Sequence, residues 1–126
     1  MTSQYYLDGL SAYRSLFWPD FIEHDGCVFL AFNQQRYDEW LEQCGGDREQ
    51  VEATMNHRHI LDVLPQAVEE PTRDLVLTVG WLLRDVWEAK LRRDFPERAF
   101  TVRFPEDYSE DLLDYEVTFW QPRNET

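Results

Sequence analysis

Phe100-Thr101-Val102-Arg103-Phe104 and Tyr115-Glu116-Val117-Thr118-Phe119-Trp120 are the two runs on which the fold class turns. In each, an apolar residue occupies every second position: Phe100, Val102 and Phe104 in the first, Tyr115, Val117 and Phe119 in the second. Successive side chains of an extended chain point to opposite faces, so this alternation reads as two strands with one packed face. The connection between them, Pro105 to Asp114, is long and acidic.

Upstream, the period changes. Leu75, Val76, Val79, Leu82, Leu83, Val86, Trp87 and Leu91 form the broad apolar face of the longest helix, opening at Pro71 or Thr72. Its charges suit the macrodipole, with Glu69, Glu70 and Asp74 at the start and Lys90, Arg92 and Arg93 at the end. Gly80 in its middle costs about 1 kcal/mol of helix propensity relative to alanine, which predicts the close approach of another element there.

The first half supplies more helices and a second hairpin. Tyr6, Leu10, Tyr13 and Phe17 fall at helical steps behind a possible Ser3 cap, and Pro19 disfavours helical geometry at Trp18. Two apolar runs, from Phe21 and up to Phe32, flank Asp25-Gly26, a pair that tolerates the positive φ of a tight hairpin turn. Asn33 caps a helix with Tyr37, Trp40, Leu41 and Cys44 on one stripe, which Gly45-Gly46 ends. Asp47 and Gln50 make a capping-box-like start for a short helix facing inward through Val51 and Met55. Residues 57–64 read as a further helical turn or two before Pro65, and Gln66 to Glu70 as a polar connection. The expected fold is α+β: a small antiparallel sheet of two hairpins, packed on one face by three to five helices, in a single domain over residues 1–126.

Twenty-five acidic against twelve basic residues give a formal charge of −13, yet 43% of the chain is hydrophobic and 15% aromatic. A core of that richness offsets the entropy of ordering the chain. Residues 105–126 are the most acidic part, with seven acids and one base. Such a field repels phosphate backbones, so no nucleic acid is expected, and a basic protein is the partner that the electrostatics favour. No stretch approaches a membrane span and the amino end lacks a secretion signal, so a bacterial cytoplasmic protein with no membrane association is expected. Eleven arginines against one lysine hint at a GC-rich genome. Cys27 and Cys44 lack C-x-x-C spacing and read as free thiols with packing roles.

The residues with chemical potential are few. His24, His57 and His59 with nearby carboxylates are the only set from which a metal- or acid/base-dependent enzyme can be built. On a helix, His57 and His59 stand about 200° apart and cannot grip one ion, whereas on an extended segment they share a face. The helical reading of residues 57–64 therefore disfavours a metal centre. Glu23-His24-Asp25 resembles a charge relay, but consecutive residues at a turn point in different directions. Asp107, Ser109 and Asp111 alternate like the start of an EF-hand loop, but Leu112 stands where glycine belongs and Thr118 where a bidentate glutamate belongs. Phosphate-cradling, nucleophile-elbow and zincin motifs are missing, and no cofactor is expected.

The functional expectation is a non-enzymatic binding or accessory module, inhibitor- or immunity-like in its physical logic. Its surface would be built from Trp18, Trp40 and Trp120 with Glu106, Asp107, Glu110, Asp111 and Asp114, large rings beside carboxylates that steer a basic partner. Dimerisation through hairpin edges or aromatic faces is a further possibility.

Overall fold

In the computed structural model, residues 13–64 and 70–123 are described. Ser3, Tyr6 and Leu10 of the first stripe, Pro65, and residues 66–69 of the polar connection lie outside them. The element order is α1 (residues 13–17), β1 (Ile22–His24), β2 (Cys27–Phe29), α2 (Gln34–Gln43), α3 (Arg48–Met55), β3 (Arg58–His59), α4 (Ile60–Val63), α5 (Arg73–Asp94), β4 (Thr101–Arg103) and β5 (Glu116–Trp120). The chain is an α+β fold. β1 and β2 form one antiparallel hairpin, and β4 and β5 form a second, to which β3 adds in the order β3-β5-β4.

Local chemistry accounts for most boundaries. Asn33 accepts from the amides of Gln35 and Arg36, Asp47 from Gln50, and Thr72 from Leu75, so each of the three main helices starts on a side-chain cap. Asp25 and Gly26 take φ of 54° and 78°, the pair of positive angles that a tight two-residue hairpin demands. Gly46 donates its amide to the Leu41 carbonyl and closes α2.

One element departs from the sequence reading. The helix expected over residues 57–64 begins only at Ile60, because Arg58 and His59 pair with Val117 and Glu116 of β5 and the Ile60 amide donates to the Tyr115 carbonyl. Helical spacing of Ile60, Leu61 and Leu64 is genuine, but it does not extend backwards into the strand.

The main core lies between α5 and the three-stranded sheet. Val76, Leu83, Trp87 and Leu91 of α5 meet Val102, Phe104, Tyr115, Val117 and Phe119, with Val28 and Ile60 completing it. Trp87 is fully buried, stands edge-on to Phe119 at 5.9 Å and donates its indole N–H to the Leu16 carbonyl, which ties α1 to α5. A smaller cluster of Cys27, Phe29, Tyr37 and Val51 holds α2 and α3 on the first hairpin.

Two polar side chains, one in α3 and one capping its C-terminal end, join the sheets. Asn56 accepts from the Leu30 amide and donates to the carbonyls of Val28 and Phe119. Glu52, one turn earlier, accepts from the amides of Val28 and Gln121. Both are wholly buried. Between them they satisfy backbone groups of β2, of β5 and of the residues just beyond, which would otherwise stand unpaired where the two sheets meet.

Candidate functional site

The three-stranded sheet has one face on the core and one face open. Val117 and Phe119 point inward, so Glu116, Thr118 and Trp120 point outward, and the registers 59↔116 and 103↔118 put His59 and Arg103 beside them. α3 stands along this face, held in part by the Thr118 hydroxyl, which donates to the Ala53 carbonyl at 2.6 Å. Sheet and helix enclose an open groove of about 590 Å³, with Asp47, Glu49 and Gln50 on the helical wall and His57, Arg103, Glu116 and Trp120 on the floor.

At one end of that groove two histidines meet a glutamate. β3 is extended and His57 immediately precedes it, and the rings of His57 and His59 stand 5.2 Å apart and edge-on at 88°. This corrects the sequence expectation that a helix separates them. One donor atom from each of His57, His59 and Glu116 lies within 4.8 Å of the other two. His57 Nδ1 contacts the Thr54 carbonyl and His59 Nδ1 the Leu113 carbonyl at 2.7 Å. A carbonyl only accepts, so each ring donates from Nδ1, and Nε2 is the nitrogen left for a further ligand. Glu116 Oε2 lies 3.5 Å from His59 Nδ1.

His24 has no part in this group. Its ring packs at 4.4 Å on Phe32 and 4.9 Å on Tyr37, beside the other hairpin. Its neighbours diverge as the turn geometry requires. Glu23 pairs with Arg98 at 2.7 Å, whereas Asp25 accepts from the Tyr37 hydroxyl at 2.6 Å and from Arg48. Those hydrogen bonds, the tyrosine's first and the arginine's second, hold the Asp25 carboxyl below its ordinary 3.8. Burial, reinforced by the bond to Asp25, pushes the Tyr37 phenol up.

The Asp25 shift carries a sign that can be checked. A carboxyl whose folded-state pKa lies below 3.8 contributes stability in full above that value and loses it as the pH falls through the folded-state value. Asp25→Asn keeps an acceptor for Tyr37 and removes the charge. Urea midpoints should show the variant less stable than the parent at about pH 7, with the gap narrowing as the pH falls below 3.8 and through the folded-state value; a gap that persists undiminished in acid would remove the charge from the explanation.

The acidic connection is ordered around one arginine. Arg73 Nη1 donates to the Ser109 carbonyl at 2.6 Å and the Tyr115 hydroxyl at 2.7 Å, and its guanidinium lies 4.2 Å from the centre of the Tyr108 ring. Asp111 accepts from the Leu113 amide, and Asp114 accepts from the Ser109 hydroxyl. Glu106, Asp107 and Glu110 have no hydrogen bond or ion pair among the described residues. Tyr108 is 72% exposed and Leu113 48%.

The tryptophans are dispersed. Trp18 covers the buried Lys90, whose ammonium lies 5.7 Å from its ring. Trp40 packs on the smaller core and lines a separate hollow with Arg36 and Arg58. Trp120 floors the sheet groove, away from Glu106 and Asp107, which line hollows beside Trp81. The carboxylates at 106–114 share one loop with the exposed Tyr108 and Leu113, which sequence reasoning overlooked, and Trp18 and Trp40 stand apart from one another.

Both cysteines are free thiols. Cys27 is fully buried, and that burial, followed by the nearby Glu52 carboxylate, pushes its thiol up, the opposite of what a nucleophile needs. No described helix is long and apolar enough to cross a membrane. No family model matches the chain, and neither the curated proteins nor the solved structures contain a match to it.

Proposed function

We infer that the protein is a non-enzymatic binding module that engages a basic protein through the loop between β4 and β5. The observation that carries this reading is the loop's unneutralised charge on a fixed frame. Five carboxylates within residues 105–114 find no cationic partner among the described residues, while Arg73 beneath and the capped turn at Leu112–Asp114 hold the loop in shape. A surface ordered before it binds loses less entropy on association, and unpaired charge steers a partner of opposite sign. Tyr108 and Leu113 supply the exposed ring and aliphatic group around which such contacts centre.

An inhibitor- or immunity-like role suits this chemistry, since a strongly basic target is masked by an acidic surface. Two free cysteines accord with a cytoplasmic setting. A second reading, a small metal- or acid/base-dependent enzyme, draws on the meeting of His57 and His59 with Glu116 in a groove open to solvent.

The test is affinity capture from the native cell at low and moderate salt, with the parent and with a variant carrying Glu106→Gln, Asp107→Asn and Glu110→Gln. The binding reading expects one basic protein, released as salt screens the attraction and missing from the variant's eluate. Recovery of the same proteins by both chains would defeat it.

A further inference from the structure

We propose that His57, His59 and Glu116 form a binding site for a divalent first-row transition ion of the zinc class. The site stands independently of the acidic loop's role. Strand pairing sets it up: His59 and Glu116 are direct cross-strand partners, and His57, immediately before β3, brings its ring to 5.2 Å from that of His59. Imidazole nitrogens suit zinc, iron, nickel and copper, whereas calcium and magnesium take oxygen ligands, so two histidines with one carboxylate select the former group.

The outer contacts fit the same chemistry. A metal-binding imidazole commonly donates its other N–H to a carbonyl or carboxylate, which fixes the tautomer and the ring's direction. Both rings have this arrangement, through the carbonyls of Thr54 and Leu113. Those two acceptors come from different elements, the last turn of α3 and the 3-10 turn before β5, so the rings are oriented independently of each other. Zinc–nitrogen bonds of about 2.0–2.1 Å place neighbouring donors roughly 3 Å apart, so the three groups, with one donor atom each within 4.8 Å of the others, have to draw together, and Glu116, whose Oε2 lies 3.5 Å from His59 Nδ1, has to turn toward the Nε2 edge of that ring. Three protein ligands leave the remaining coordination positions facing the groove, where water or a small ligand from solution completes the shell.

The experiment uses the full chain without a histidine tag, stripped of metal and titrated with Zn²⁺ by calorimetry. One equivalent should bind. Affinity should fall by at least about 10–100-fold in His57→Gln, His59→Gln and Glu116→Gln, each checked for folding by circular dichroism, and stay unchanged in His24→Gln and in the loop triple variant. Millimolar Ca²⁺ should not compete. In the unsubstituted protein, added Zn²⁺ should move the imidazole ¹⁵N resonances of His57 and His59 and leave those of His24 in place, a readout that needs no variant to fold. Absence of stoichiometric binding, binding that survives loss of both histidines, or ¹⁵N shifts confined to His24 would each overturn the proposal.

Discussion

Glu52→Gln should lower the stability of the fold by about 3 kcal/mol, seen as a matching fall in the urea midpoint and a drop of roughly 10 °C in Tm. The site accepts and nothing else. Glu52 Oε1 takes hydrogen bonds from the Gln121 amide and, at 2.7 Å, from Arg123, and Oε2 takes them from the Val28 amide and the Gln121 side-chain amide. A glutamine of the same shape replaces one oxygen with an NH₂ that faces donors on every side. It also strips the half-buried Arg123 guanidinium of its counter-charge. Removing one member of a buried pair costs far more than the pair contributes, because the survivor is left desolvated and unmatched. Arg123→Gln should cost less, since part of that side chain reaches solvent. A loss below about 1 kcal/mol in Glu52→Gln would mean that water or a rearranged C-terminal segment replaces these bonds.

Gly80→Ala should destabilise by about 2 kcal/mol, against the sign that helix propensity gives. Alanine in the interior of a 22-residue helix is worth about 1 kcal/mol over glycine, so an exposed Gly80 would make the change stabilising. Here a Cβ would fall 2.2 Å from Phe104 Cε1 and 2.3 Å from Cζ. The Phe104 ring is buried and wedged between Trp81, edge-on at 5.2 Å, and Tyr115 at 6.0 Å, so it has little room to give way. Overpacking of this kind costs typically 1–3 kcal/mol or more and outweighs the propensity gain. Thermal or urea unfolding of the single variant decides the sign, and an increase in stability would show that Phe104 swings aside at little cost.

Much of the frame was legible because its signals are local. Asn33, Asp47 and Thr72 start helices through bonds to amides two or three residues on, the Asp25-Gly26 turn follows from backbone freedom, and the strands at 101–103 and 116–120 follow from alternation. The close approach at Gly80 was legible for a related reason, as an unfavourable residue in a helix that otherwise favours helix formers. What escaped reading is non-local. β3 exists because Arg58 and His59 find partners nearly sixty residues later, and nothing within residues 57–64 records that pairing. The meeting of both histidines with Glu116 follows from the same register and was hidden with it. Glu52 and Asn56, polar and one turn apart, look like a solvated stripe of α3, and only the placing of β2 and β5 on either side turns them into the bridge between sheets. Arg73 likewise reads as an ordinary first-turn residue until the loop it supports folds over it.

The binding surface is tested most directly by placing a photo-crosslinking benzophenone at residue 108, in place of the exposed tyrosine, and irradiating the chain in its native cell. The account predicts one dominant adduct with a basic protein, abolished when Glu106, Asp107 and Glu110 are neutralised. An adduct only with a second copy of this chain, one indifferent to neutralisation, or none at all would contradict it.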